Sequence, residues 1–373
     1  MRQRSCRKMK KIDMLIHLSG TSRRLLPFAS LLILIIAGLL GCLSIYSARA
    51  FSEAPLYFAL KQMVWLGAGL IVFTGVSLVP FSFYKKAAPW LYALFLLSLV
   101  LVLFFGVEIN NMRGWFRLWG SLSIQPSEFA KVIFLLYLSV FAAEGRELKT
   151  GRILFMFGVT FLSMLLLMLE PDFGGALIFF VAFVTVLTVC GARTSCLLAA
   201  FLFLLTCAVI FVSVNDYAML RILGYLAPDG GYGVNAWHIK QFQYTMAHGG
   251  WTGSAWGNAL WSSAFLPLPH TDSLFASIVE SAGFIGGAIV IGGFFAMGAG
   301  FTAMSWKVKD NAGRIFVFAA GVMYLAQALI HISVNSVLLP PTGVTLPVLS
   351  YGGSSLLSIM FAFGIAFSAA REE

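Results

Sequence analysis

Apolar residues in this chain come in long blocks separated by short polar breaks. Neither the two-residue alternation of a half-buried strand nor the one-sided stripe of a surface helix dominates. The blocks fall at 25–48, 56–79, 88–106, 129–143, 154–169, 174–191, 194–214, 274–302, 315–338 and 355–370. A helix needs roughly 20 such residues to cross a bilayer, so the pattern predicts about ten transmembrane helices in an all-α polytopic fold. The fourth and fifth blocks are short. The longest interruption, 215–273, separates the seventh and eighth blocks and is expected to be a large extracytoplasmic loop. It carries Trp237, Trp251, Trp256 and Trp261 among many glycines. That content favours a structure lying at the membrane interface over a floppy linker.

Composition strengthens this reading. The chain is 60% hydrophobic and 11% charged, against about 25% charged residues in a soluble domain. A net charge of +10 would suggest nucleic acid as partner in a soluble protein. Here the excess lies in the N-terminal tail and in short loops, so it reads as topology, with membrane lipid and not nucleic acid as the neighbour. Arg2, Arg4, Arg7, Lys8, Lys10, Lys11, Arg23 and Arg24 make residues 1–24 a basic cytoplasmic tail ahead of one transmembrane domain, 25–373. Lys85 and Lys86, then Arg146, Lys149 and Arg152, then Arg193, then Lys307, Lys309 and Arg314 recur in alternate loops. That alternation predicts both termini inside and the chemically varied loops outside. Cys6, Cys42, Cys190, Cys196 and Cys207 have no metal-ligand spacing and read as small core residues.

Candidate chemistry sits in four polar stretches. The segment from Phe265 to Phe275 contains His270-Thr271-Asp272 and opens an apolar helix. A carboxylate at a membrane edge is solvated, paired or used. Equally, Thr271 or Asp272 could cap the following helix. His270 is close in sequence to Asp272, but no third member of a triad is evident. The second stretch holds Arg113 and Arg117, then Gln125-Pro126-Ser127-Glu128 and Lys131. Glu128 and Lys131 share a helix face and either pair structurally or line a polar cavity for an anionic head group. Arginines there would suit phosphate, because a guanidinium donates two bonds at once. The third is Glu170-Pro171-Asp172-Phe173-Gly174-Gly175, an outward turn whose Asp172 is expected to cap the next helix. The fourth runs from Pro340-Pro341-Thr342-Gly343 to Ser350-Tyr351-Gly352-Gly353-Ser354-Ser355. Irregular backbone at membrane depth survives only where protein covers it or it lines a watery cavity.

In this order, these stretches resemble the SEDS family (shape, elongation, division and sporulation), the RodA/FtsW group. The resemblance runs from Ile45-Tyr46-Ser47-Ala48 to Tyr351-Gly352-Gly353-Ser354-Ser355. It implies a ten-helix SEDS-type fold in the bacterial cytoplasmic membrane that polymerises lipid II into glycan strands beside a class B penicillin-binding protein. It implies that Asp272 is the family's essential outward aspartate and that Glu128 and Lys131 line the central cavity. The Ile45–Ala48 leader looks more like the elongation branch than the division branch. This chain departs from the family pattern at Leu268, Ser254, Ser281, Glu170, Gly175 and His331, which stand where glutamate, lysine, glutamate, glutamine, threonine and asparagine are usual.

Glycosyl transfer needs a base for the acceptor proton, positive charge for the departing pyrophosphate, and two substrates held in line. Asp272 is the candidate base. Lys61, Arg113, Arg117, Lys131 and Arg221 are candidates for the pyrophosphate, with Glu128, His270, Glu280, Ser350, Gly352 and Ser354 as further substrate-site residues. The donor would be a glycan on undecaprenyl pyrophosphate and the acceptor lipid II. A divalent cation such as magnesium or manganese could share the charge, although no dedicated ligand cluster is legible. The rival readings are a lipid II flippase, suited by the intramembrane charges and broken helices, and a degenerate scaffold for a penicillin-binding protein.

Overall fold

The computed structural model describes residues 20–109, 112–120, 122–145, 149–229 and 233–372. Most of the basic tail, together with Asn110, Asn111 and Arg146, lies outside the described residues. Three helices open the chain: α1 (Gly20–Ala48), α2 (Pro55–Leu78) and α3 (Phe81–Phe105). Three short strands follow, β1 (Val107–Ile109), β2 (Met112–Trp119) and β3 (Leu122–Ile124). Then come α4 (Pro126–Ala143), α5 (Thr150–Leu169), α6 (Phe173–Val189) and α7 (Thr194–Val214). The long segment folds as α8 (Asp216–Leu226), α9 (Gly233–Gly249) and α10 (Leu260–Ala264). Last are α11 (Leu274–Ser305), α12 (Asn311–Asn335) and α13 (Gly353–Arg371).

Among the described residues, nine helices are long and apolar enough to cross a membrane, and α6 is a shorter apolar helix. The chain is thus a multi-pass, mainly α-helical membrane protein. Local chemistry sets the helix ends. Proline opens α2 and α4, where its missing N–H costs nothing. Asp172 and Asp310 cap α6 and α12 by accepting from Gly175 N and Gly313 N at 2.7 and 2.9 Å. Several elements begin earlier than hydropathy suggests. α4 starts at Pro126, not Phe129, because Ser127 and Lys131 are buried in the bundle while breaking the apolar run. α3 starts at Phe81 and carries Lys85 and Lys86 within its first turns.

The all-α bundle carries one addition in the polar segment between the third and fourth helices. The 107–124 segment is a small antiparallel sheet in the order β1-β2-β3, with Val107 opposite Trp115 and Phe116 opposite Ile124. Val107, Ile109, Trp115, Phe116 and Ile124 are residue types that suit a pleated, half-buried surface.

The most enclosed helices are α4, α12 and α13, with Phe134, Phe316, Tyr324 and Phe363 fully buried. α13 packs along α2, where a side chain on Gly364 would meet Val76 and one on Gly69 would meet Met360. Small residues at such contacts let membrane helices approach closely, which matters because lipid is as apolar as the side chains. α7 is the opposite case: Ala200 is its one buried residue among those described.

α11 is broken at Gly283 (φ 68°). The turn after α9 enters the break and takes over its backbone hydrogen bonds. Ser254 N donates to Glu280 O at 2.9 Å, and Phe284 N donates to Gly250 O at 2.9 Å. A Cβ on Gly249, Gly253 or Gly283 would fall 2.2–2.3 Å from backbone of the opposing strand. The loop is therefore welded to the membrane domain.

Candidate functional site

A cavity of about 640 Å³ draws side chains from several elements of the bundle, and Asp272, Lys61, Glu128, Lys131, Arg221, Gly352 and Ser354 all line it. α2 supplies Lys61 and Trp65. The small sheet supplies Met112 and Trp115. The first turns of α4 supply Ser127, Glu128 and Lys131. The α5–α6 turn adds Asp172, α8 adds Arg221, α12 adds Gln327, and the irregular runs 342–345 and 351–355 form the remaining wall.

Its inner charge is a built pair. Lys131 Nζ lies 2.6 Å from Glu128 Oε2 and donates to Gln327 Oε1 at 3.1 Å. Both side chains are nearly enclosed, at 5% and 15% exposure. Gln327 in turn donates to Thr345 O at 3.0 Å, which ties the pair to the irregular wall. Lys61, Arg221, Asp172 and Asp272 line the same cavity as this pair.

Asp272 ends the turn before α11. The capping alternative fails: Ser273 occupies the N-cap position, and no side chain makes a capping bond there. Desolvation raises the Asp272 carboxyl above its ordinary range, while Arg221 and the Thr271 hydroxyl pull it back. Asp172 has two roles, capping α6 and facing the cavity. Burial pushes it up to about 6, and its neighbour Glu170, fully buried, up to about 9.

Five expected site residues lie elsewhere. Arg113 and Arg117 are exposed on β2, with Arg113 opposite Glu108. His270 does not line the cavity and packs against Phe58, ring centroids 4.3 Å apart. Burial lowers its imidazole to about 4, so it is neutral near pH 7. Glu280 is fully enclosed and accepts from Trp261 N at 2.8 Å, Ser262 N at 2.7 Å and the Ser262 hydroxyl, with His248 Nδ1 at 3.1 Å. It secures the outer loop. Ser350 is buried, and its hydroxyl donates to Thr271 O at 2.7 Å. Sequence reasoning missed Gln327, although a lone amide inside an apolar helix was a usable signal. It also treated capping and site roles as exclusive for Asp172. Among the described residues, no three His, Cys, Asp or Glu side chains gather as a metal-ion site.

Backbone strain collects around Asp272. Leu268, Val337 and Val348 have φ of 46°, 58° and 67°. Branched residues there cost about 1–3 kcal/mol each and persist only where surroundings overdetermine them.

Comparisons with known proteins agree with this architecture. Residues 24–373 match the family model FtsW/RodA/SpoVE, described as cell cycle protein. A probable peptidoglycan glycosyltransferase FtsW of Nitrosococcus halophilus is 33% identical over 331 residues, covering 85% of this chain and 84% of that protein. Stage V sporulation protein E of Bacillus subtilis is 31% identical, over 93% of this chain and 96% of its own length. A chain of a peptidoglycan synthase complex, solved for the coordination of polymerization and crosslinking, superposes with a TM-score of 0.78 at 28% identity, covering 92% of this chain and 97% of that one. The rod shape determining protein RodA of Thermus thermophilus gives 0.70 at 25% identity, covering 92% and 96%.

Proposed function

The chain belongs to the FtsW, RodA and SpoVE family and is an enzyme of its peptidoglycan glycosyltransferase class, and from that premise we propose that it polymerises lipid II into glycan strands at the outer face of the cytoplasmic membrane, with Asp272 as base. One observation carries this reading: Asp272 shares a single cavity with Lys61, Lys131 and Arg221. A proton acceptor and a set of cations in one recess are what transfer from a pyrophosphate-linked sugar requires.

In the proposed reaction, a hydroxyl of the acceptor sugar on lipid II attacks the anomeric carbon of the growing glycan. Asp272 takes the hydroxyl proton as the new C–O bond forms. The bond from that carbon to the pyrophosphate breaks, and undecaprenyl pyrophosphate leaves with the electron pair. Lys61 and Arg221 would meet the developing negative charge, and Lys131 would do so from the inner end. Raising Asp272 by desolvation improves it as a base, provided it stays ionised at working pH. Lipid-linked substrates account for a site at a bilayer interface.

Counting α6 as a crossing gives ten, which puts both termini inside and the segment before Asp272 outside, as the loop charges ask. A class B penicillin-binding protein is the partner this reading expects. The test is polymerisation of lipid II by the purified protein with that partner. Glycan strands support the proposal. Transbilayer movement of lipid II without strands would identify a flippase, and neither activity would identify a scaffold.

A further inference from the structure

Every backbone carbonyl from Pro267 to Asp272 is occupied. Ser273 Oγ donates to Pro267 O at 2.6 Å, Thr271 N to Leu268 O at 3.1 Å, and Ser277 Oγ to Pro269 O at 3.2 Å. Tyr351 N donates to His270 O at 2.8 Å, and Ser350 Oγ to Thr271 O at 2.7 Å. Asp272 O accepts from Asn335 Nδ2 at 3.0 Å. The carbonyls nearest the reactive carboxyl are thus held by groups remote in sequence, from the end of α12 on one side and the 346–351 turn on the other.

Asn335 bonds to both sides of this junction. It is fully buried in the last turn of α12. Its second amide N–H donates to His331 O at 3.0 Å, and its Oδ1 accepts from Ala276 N at 3.0 Å. One side chain therefore grips both Asp272 O and one of the otherwise orphaned N–H groups in the first turn of α11. The neighbouring backbone at Leu268, Val337 and Val348 is strained, as expected of a segment fixed from outside rather than by its own preferences.

We infer that Asn335 is a positioning residue for Asp272, holding the backbone that carries the carboxylate, with Ser350 as its counterpart across the turn. This rests on Asp272 being the reacting carboxylate. Asn335 does not itself line the cavity and reaches it through the Asp272 backbone, so it acts by positioning. A displacement of about 1 Å in a reacting group can lower turnover on the order of a hundredfold.

The test compares Asn335→Leu and Asn335→Asp with the parent protein. The aspartate variant keeps the acceptor for Ala276 N but loses the donor to Asp272 O. Amide hydrogen exchange is measured first, in the absence of substrate. The inference requires amides of Thr271, Ser273 and Ala276 to exchange at least tenfold faster in Asn335→Leu, with those of Phe316 to Tyr324 unchanged. Unchanged exchange at 271–276 overturns it. Lipid II polymerisation is then measured with the partner. A fall in kcat of ten- to a hundredfold with KM within twofold supports positioning in both variants. Faster exchange with undiminished kcat overturns it. A Phe301→Leu variant, destabilised away from this turn, controls for general loosening and should show neither signature. If the parent protein makes no glycan, the glycosyltransferase reading fails, and the exchange data still decide whether Asn335 holds the segment.

Discussion

Replacing Lys131 by methionine removes a cation 2.6 Å from Glu128 Oε2 and 3.1 Å from Gln327 Oε1 while keeping the stem's bulk. The pair is 5% and 15% exposed, so solvent and salt screen it little. Two unit charges about 4 Å apart attract by about 4 kcal/mol at an effective dielectric near 20, and desolvation offsets much of that gain. Losing one partner removes the attraction but leaves the desolvation of the other. The usual consequence is about 3–5 kcal/mol of destabilisation. Gln327 and the Tyr324 ring, 5.8 Å from the ammonium, also lose their cation. Lys131→Met should therefore unfold about 3–5 kcal/mol more easily in detergent–SDS titrations read by circular dichroism. Glu128→Gln/Lys131→Met should recover most of that loss, since replacing a whole buried pair is often neutral. Polymerisation should remain at least tenfold low in the double variant, because the cation for the leaving group is still missing. A single variant as stable as the parent, or a double variant less stable than the single, would refute the ion-pair account.

Four further outcomes are expected. Asp272 must be ionised to act as base, and its carboxyl is raised, so activity should decline with falling pH at a point above the ordinary aspartate value. Arg221 lowers that carboxyl, so Arg221→Gln should move the acidic limb of the kcat profile to higher pH; a shift to lower pH contradicts the assignment. Gly249→Ala places a Cβ 2.2 Å from Val279 O, so it should open the α9–α11 weld, seen as protease cleavage between α9 and α10; a variant as resistant as the parent argues against the weld. A cysteine introduced at Ser254 should react with an impermeant maleimide on intact cells, and one at Lys309 should not. The reverse pattern would invert the topology.

Much of the fold was legible because hydrocarbon imposes one simple rule: long apolar runs become spans. It failed where function intrudes on that rule. Glu128 and Lys131 hid the first turn of α4, since they point into the bundle and not at lipid. The strands at 107–124 were not anticipated, since segments of three to eight residues are lost beside long helices. Cavity-lining charges were legible where they interrupt apolar surroundings, as with Asp272 and the Glu128–Lys131 pair. Proximity in sequence misled at His270, whose ring joins Phe58 and Tyr351 while Asp272 faces the cavity. Glu280 misled because it lies six helical residues beyond Leu274, a rise of about 9 Å away from the turn that carries Asp272, and its oxygens are used by the outer loop. Asn335 carries no charge, and its importance lies in a backbone carbonyl 63 positions away, which no local pattern encodes.

The central claim is that Asp272 takes the acceptor proton. Asp272→Asn keeps the size of the side chain and removes its basicity. The decisive measurement is the rate of glycan polymerisation from lipid II by this variant in complex with a class B penicillin-binding protein, at matched folded protein. The account predicts a stable, membrane-inserted protein with polymerisation reduced on the order of a hundredfold or more. Undiminished polymerisation by Asp272→Asn would contradict it and remove Asp272 from the chemistry.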